Sequence, residues 1–134
     1  MIIKSSSAFL ACAAILFVTA GCWGLNGTFA YKTLEMDSYR TMYDNMEFAA
    51  DSPVDWVFKF SSSGKKRIGV ILVKHELVWA EVRKDTQEIE KEKPQVWGKI
   101  EGLSPGEYKI MITYNNDLVA EKPFIIYDPA DLDE

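Results

Sequence analysis

Cys22 ends an unbroken run of apolar and small residues, Ala8 to Gly21, and that setting defines the chemistry open to its thiol. Lys4 is the only charge ahead of it, and the other cysteine, Cys12, lies inside the run. If export removes the run, Cys22 has no partner for a disulfide, and an unpaired exposed thiol is reactive. Covalent modification of the sulfur removes that liability. The single histidine, His75, offers less. A metal site would have to be built from His75 with Asp and Glu alone. No serine occupies a nucleophile-elbow setting that His75 could serve as a base. A turn position between strands is the simpler reading, so no catalytic residue, metal ligand or cofactor is assigned.

Carboxylates crowd residues 85–92 and 128–134. Asp128, Asp131 and Asp133 lack the glycine that would fold them around calcium, so a solvated loop and tail account for both groups. No glycine-rich phosphate loop is present. Trp79 and Trp97 are the remaining lead. Each falls on the strand face opposite its neighbours' main apolar set. Outward-facing tryptophans form platforms for a sugar ring or a partner protein. The competing reading is a second layer of packing.

The elements around Cys22 carry the first resemblance. The apolar core of residues 8–20 is short for a membrane span of ~20 residues and has the form of an export signal. Thr19-Ala20-Gly21-Cys22 resembles a bacterial lipobox, at which the cysteine is lipidated and becomes the mature N-terminus. Small residues at Ala20 and Gly21 fit the cleft of the processing peptidase. Thr19 stands where the commonest version has Leu, and looser versions accept Thr. Ordinary secretion with a free Cys22, or an uncleaved signal anchor, are the alternatives. The resemblance implies residues 1–21 as signal peptide and a membrane held through lipid on Cys22. Stable anchoring takes two or more acyl chains. Trp23 rather than Asp follows the cysteine, which by enterobacterial sorting rules implies the outer membrane.

Length allows one domain after the signal. Without Lys4 the formal charge moves from −5 to −6. That excludes a nucleic-acid partner, whose phosphates need clustered cations. It also argues against adsorption to anionic headgroups, leaving attachment to the acyl chains.

The mature chain has strand periodicity. Residues 22–44 are expected to be a lipidated N-terminus and tether, with Gly24, Asn26, Gly27 and Thr28 punctuating it, although Phe29 and Tyr31 alternate. Tyr39, Met42, Tyr43 and Met46 have helical spacing, interrupted by the turn signal Asp44-Asn45, which predicts a short helix or irregular segment and then a strand around 45–49. Trp56, Phe58 and Phe60 share one strand face. Residues 68–73 are apolar on both faces and suit a central strand. Val78, Ala80 and Val82 predict the buried face of the next strand, and the charged residues 84–95 a long loop or one helical turn. Val96, Gly98 and Ile100 alternate again. Tyr108, Ile110, Ile112 and Tyr114 enter a hairpin through Asn115-Asn116-Asp117, with Pro123 at an edge or bulge of the return. The tail 128–134 is expected to fray. About seven short strands predict an all-β fold, an antiparallel Greek-key sandwich over residues 45–127.

Gly102-Leu103-Ser104-Pro105-Gly106-Glu107-Tyr108 resembles the tyrosine corner of immunoglobulin-like and fibronectin type III domains. The resemblance implies that Leu103 plugs the core, Pro105 and Gly106 shape the turn, and the Tyr108 hydroxyl bonds back to the loop. The spacing from Leu103 to Tyr108 is one residue shorter than fibronectin type III domains usually show. Together these features predict a lipid-anchored bacterial envelope protein. It would be a non-catalytic interaction or structural module with an envelope protein partner. The alternative is a carbohydrate- or small-ligand-binding module built on Trp79 and Trp97.

Overall fold

Alternation of large apolar residues divides the chain into two layers. In the computed structural model, which describes residues 25–133, nine strands form two sheets packed face to face. Sheet A has the order β2-β1-β4-β7: β1 is Gly27–Thr33, β2 Arg40–Thr41, β4 Val54–Phe60 and β7 Gln95–Ile100. Sheet B has the order β3-β9-β8-β5-β6. Its strands are β3 Met46–Ala49, β5 Lys66–His75, β6 Trp79–Ile89, β8 Gly106–Tyr114 and β9 Asp117–Tyr127. All pairings are antiparallel except β3 with β9. The chain switches sheets five times, between β2 and β3, β3 and β4, β4 and β5, β6 and β7, and β7 and β8, as an all-β Greek-key sandwich requires.

The core lies between the layers. Sheet A supplies Phe29, Trp56, Phe58, Phe60, Val96 and Ile100. Sheet B supplies Ile68, Val70, Leu72, Tyr108, Ile110, Ile112 and Phe124. The rings of Phe29 and Phe58 lie 4.7 Å apart, and those of Phe58 and Phe60 4.9 Å apart. Such tilted and edge-on pairs add attraction beyond area burial. The Asn turns behave as their chemistry dictates: Asn45, Asn115 and Asn116 all have positive φ (61°, 52° and 69°).

Four expectations change. The domain starts well before residue 45, because β1 pairs along its whole length with β4, from Gly27 opposite Phe60 to Thr33 opposite Val54. Leu25 is already core, 7% exposed. Turn-forming residues masked this strand, but burial of Phe29 against Phe58 outweighs their local preference. Second, of the short helix or irregular segment expected before the strand at 45–49, no helix forms: Arg40 and Thr41 pair with β1, the buried Met42 donates its N–H to the Phe29 carbonyl (3.0 Å), and the expected strand is β3.

Third, the charged stretch is mostly strand. β6 runs to Ile89, paired with β5 at every position except Val82. Backbone bonds to one neighbour hold an edge strand whatever its side chains, and charges suit an edge. A bulge between Leu72 and Val73 leaves Val82 without an opposite residue, and Val78 and Val82 stay exposed rather than buried. Fourth, residues Pro129–Asp133 form a short 3-10 helix, with the Asp128 carboxylate accepting the Ala130 N–H at 3.0 Å. Cys22 and the expected signal peptide lie outside the described residues.

Candidate functional site

The loop joining β7 to β8 fixes one end of the sandwich. Leu103 is buried, and the Tyr108 hydroxyl donates to the Ser104 carbonyl at 2.6 Å. The Ser104 hydroxyl lies 3.3 Å from the same phenol and accepts from Lys74 Nζ at 2.8 Å. The Tyr108 ring stacks on Phe124, centroids 5.5 Å apart and planes 11° from parallel. Gly102 and Gly106 take positive φ, 69° and 151°, which side-chain-bearing residues rarely adopt. No buried side-chain nitrogen or oxygen among the described residues lacks a partner, and the contacts of this loop are those of a structural corner.

The two tryptophans do not share a platform. Trp79, 40% exposed, belongs to sheet B at the β5–β6 turn. Its ring sits 4.8 Å from that of His75, and Lys109 Nζ lies 4.3 Å over it. His75 Nδ1 is 3.6 Å from a Glu107 carboxylate oxygen. Trp97, 63% exposed, belongs to sheet A. The pairing expected from sequence fails because the two strands lie in different sheets.

Trp97 has a different companion. On the outer face of sheet A, three cross-strand pairs follow one another between β4 and β7: Lys59 with Gln95, Val57 with Trp97, and Asp55 with Lys99. Tyr39, 46% exposed in the loop before β2, lies at the same shallow groove. Two exposed rings thus line the groove together with buried Val57, the Asp55–Lys99 ion pair (3.8 Å) and Gln95. Such a surface offers flat apolar faces for C–H groups and interleaved donors and acceptors for hydroxyls.

The backbone under Trp97 is held firmly. The Gln87 side chain reaches from β6, accepting the Trp97 N–H at 3.1 Å and donating to the Trp97 carbonyl at 2.6 Å. It acts as one further rung of strand pairing on the outer edge of β7. Arg83 donates to the Lys99 carbonyl at 3.4 Å. Beside these contacts an apolar slot of about 450 Å³, including its open mouth, runs down to Val70, Leu72 and Ile110. Gly98 stands opposite Trp56, where a Cβ would come within 2.7 Å of the indole nitrogen. Glycine there lets the indole lie flat across the strand.

Sequence reasoning missed Tyr39 and Gln87. Tyr39 was hidden by its helical spacing with Met42 and Met46, and Gln87 by the charges around it. No three described His, Cys, Asp and Glu side chains converge to hold a metal ion.

No protein-family model matches the chain, and no curated protein is similar to it. Among solved structures, the chain is similar to part of the β-glucosidase from Listeria innocua. The complex with isofagomine aligns at a TM-score of 0.39 and 15% identity, over 75% of this chain and 16% of that one. The complex with glucose aligns at a TM-score of 0.38 and 10% identity over the same shares. This chain therefore spans only 16% of the length of the enzyme it matches, and a likeness so distant names no activity for it.

Proposed function

We propose that this chain is a bacterial lipoprotein of the outer membrane, a non-catalytic β-sandwich that binds another envelope protein. One spacing supports the reading: Cys22, at the end of an export-type apolar run, stands three residues before Leu25, the first core residue among the described residues. Three extended residues reach about 10 Å. Lipid on that sulfur would seat the sandwich directly on the bilayer, without a stalk. Cys22→Ser tests it. The substituted chain should leave the membrane fraction, and unchanged partition would defeat the proposal. Crosslinking on intact envelopes should then recover one envelope protein.

A second reading rests on the Tyr39–Trp97 groove. Two exposed rings lining one groove with polar groups suit the alternating apolar and hydroxyl faces of a sugar. Under this reading a glycan quenches tryptophan fluorescence. Trp97→Ala abolishes the response and Trp79→Ala leaves it. A glycan panel without effect leaves the protein-partner reading standing alone.

A further inference from the structure

The net charge of −5 conceals a strong asymmetry along the strands. β1 starts at one end of the sandwich, the N-terminal end, where Gly27 faces Phe60 and the Ser61 N–H donates to the Asn26 carbonyl at 2.8 Å. The loops 61–65 and 90–94 close that same end, and the second is stitched in by the bond from the Phe60 N–H to the Pro94 carbonyl (2.9 Å). The cations gather here: Lys59, Lys65, Lys66, Arg67, Lys91 and Lys93, against Glu88, Glu90, Glu92 and Asp117. Arg67 pairs with Glu88 at 3.6 Å, and Lys66 lies over the Tyr114 ring. Among the described residues Lys65, Lys91 and Lys93 take no ion pair. The opposite end carries Glu35, Asp37, Asp51, Glu76, Glu101 and Asp128 in its loops and turns.

We propose that the N-terminal end is a docking face for anionic phospholipid headgroups, with Lys65, Lys91 and Lys93 as its contacts and the acidic end held away from the bilayer. This rests on lipid attachment at Cys22 and goes beyond it by assigning an orientation. Screening decides which charges matter. Surface charges interact over about 8 Å at physiological ionic strength. The three residues from Cys22 to Leu25 span about 10 Å at most, so the basic loops stand within little more than one screening length of the headgroups. The seven residues of β1 add about 23 Å at the strand rise, which puts the acidic end beyond it. The whole-chain charge, which argues against adsorption, is therefore the wrong quantity: only the near end senses the headgroups.

The test is amine footprinting of the mature chain on vesicles, joined through Cys22 either by its own acyl chains or by coupling its thiol to a maleimide lipid. Vesicles of phosphatidylcholine are compared with vesicles containing phosphatidylglycerol. Modification of Lys65, Lys91 and Lys93 should fall several-fold on the phosphatidylglycerol vesicles, with Lys99 unchanged, and high salt should reverse the loss. Equal modification on the two vesicle types, or protection that salt does not reverse, overturns the docking face. A bare Cys22 in native material defeats native lipidation instead, and the coupled chain still reports whether the basic end seeks anionic headgroups.

Discussion

The two ends of this sandwich are closed by different physics. At the N-terminal end the layers meet through apolar side chains. Phe60 and Ile89 are buried there, and the loops outside them are polar and basic. At the far end the layers meet through a hydrogen-bonded loop, with the Tyr108 hydroxyl on Ser104 and Leu103 beneath it. Outside that corner the loops are acidic, and the β5–β6 turn adds Leu77, 99% exposed, beside Glu76. Apolar closure tolerates any loop sequence, so the loops of the first end are free to carry lysines. The corner constrains its loop residue by residue, because glycine conformation, serine carbonyl and tyrosine must coincide.

Substitutions can separate these modes of closure. The largest effect is expected from Phe60→Ala, which empties a ring-sized site and should cost about 3–5 kcal/mol in denaturant unfolding. A cost under ~1 kcal/mol would mean that the N-terminal end is not closed by its core. Tyr108→Phe keeps the ring and removes only the hydroxyl, and should cost about 1–3 kcal/mol. If it is neutral, the far end does not depend on its corner. Gln87→Ala removes two exposed bonds to the β7 edge and should cost about 0.5–1.5 kcal/mol, with faster amide exchange at Trp97 as the specific sign. Lys65→Glu and Leu77→Ser, in the exposed loops of the two ends, should each stay within about 0.5 kcal/mol. A larger loss for either would show that its loop helps to hold the layers together.

The same contrast explains what was legible in the sequence. β4 and the β8–β9 hairpin announced themselves because burial on one face leaves strict alternation, as in Trp56, Phe58 and Phe60. The corner was legible because its chemistry needs particular residues at fixed spacing. β1 was hidden because Gly27 and Thr28 look like linker, and pairing with β4 is a long-range fact that no local window contains. The second half of β6, residues 84–89, was hidden because an edge strand takes its hydrogen bonds from one neighbour and leaves its side chains to solvent. The Tyr39–Trp97 groove joins a loop to a strand 58 positions later, so only the fold brings them together. Charge was misleading in a different way. A sum over the chain has no direction, and the asymmetry between the ends emerges only once strand order is known.

Mass spectrometry of the mature N-terminus from native membranes tests the central claim most directly. The account predicts a chain that begins at Cys22 and carries diacylglycerol on its sulfur. A free thiol at Cys22, or a chain that begins elsewhere, would contradict it.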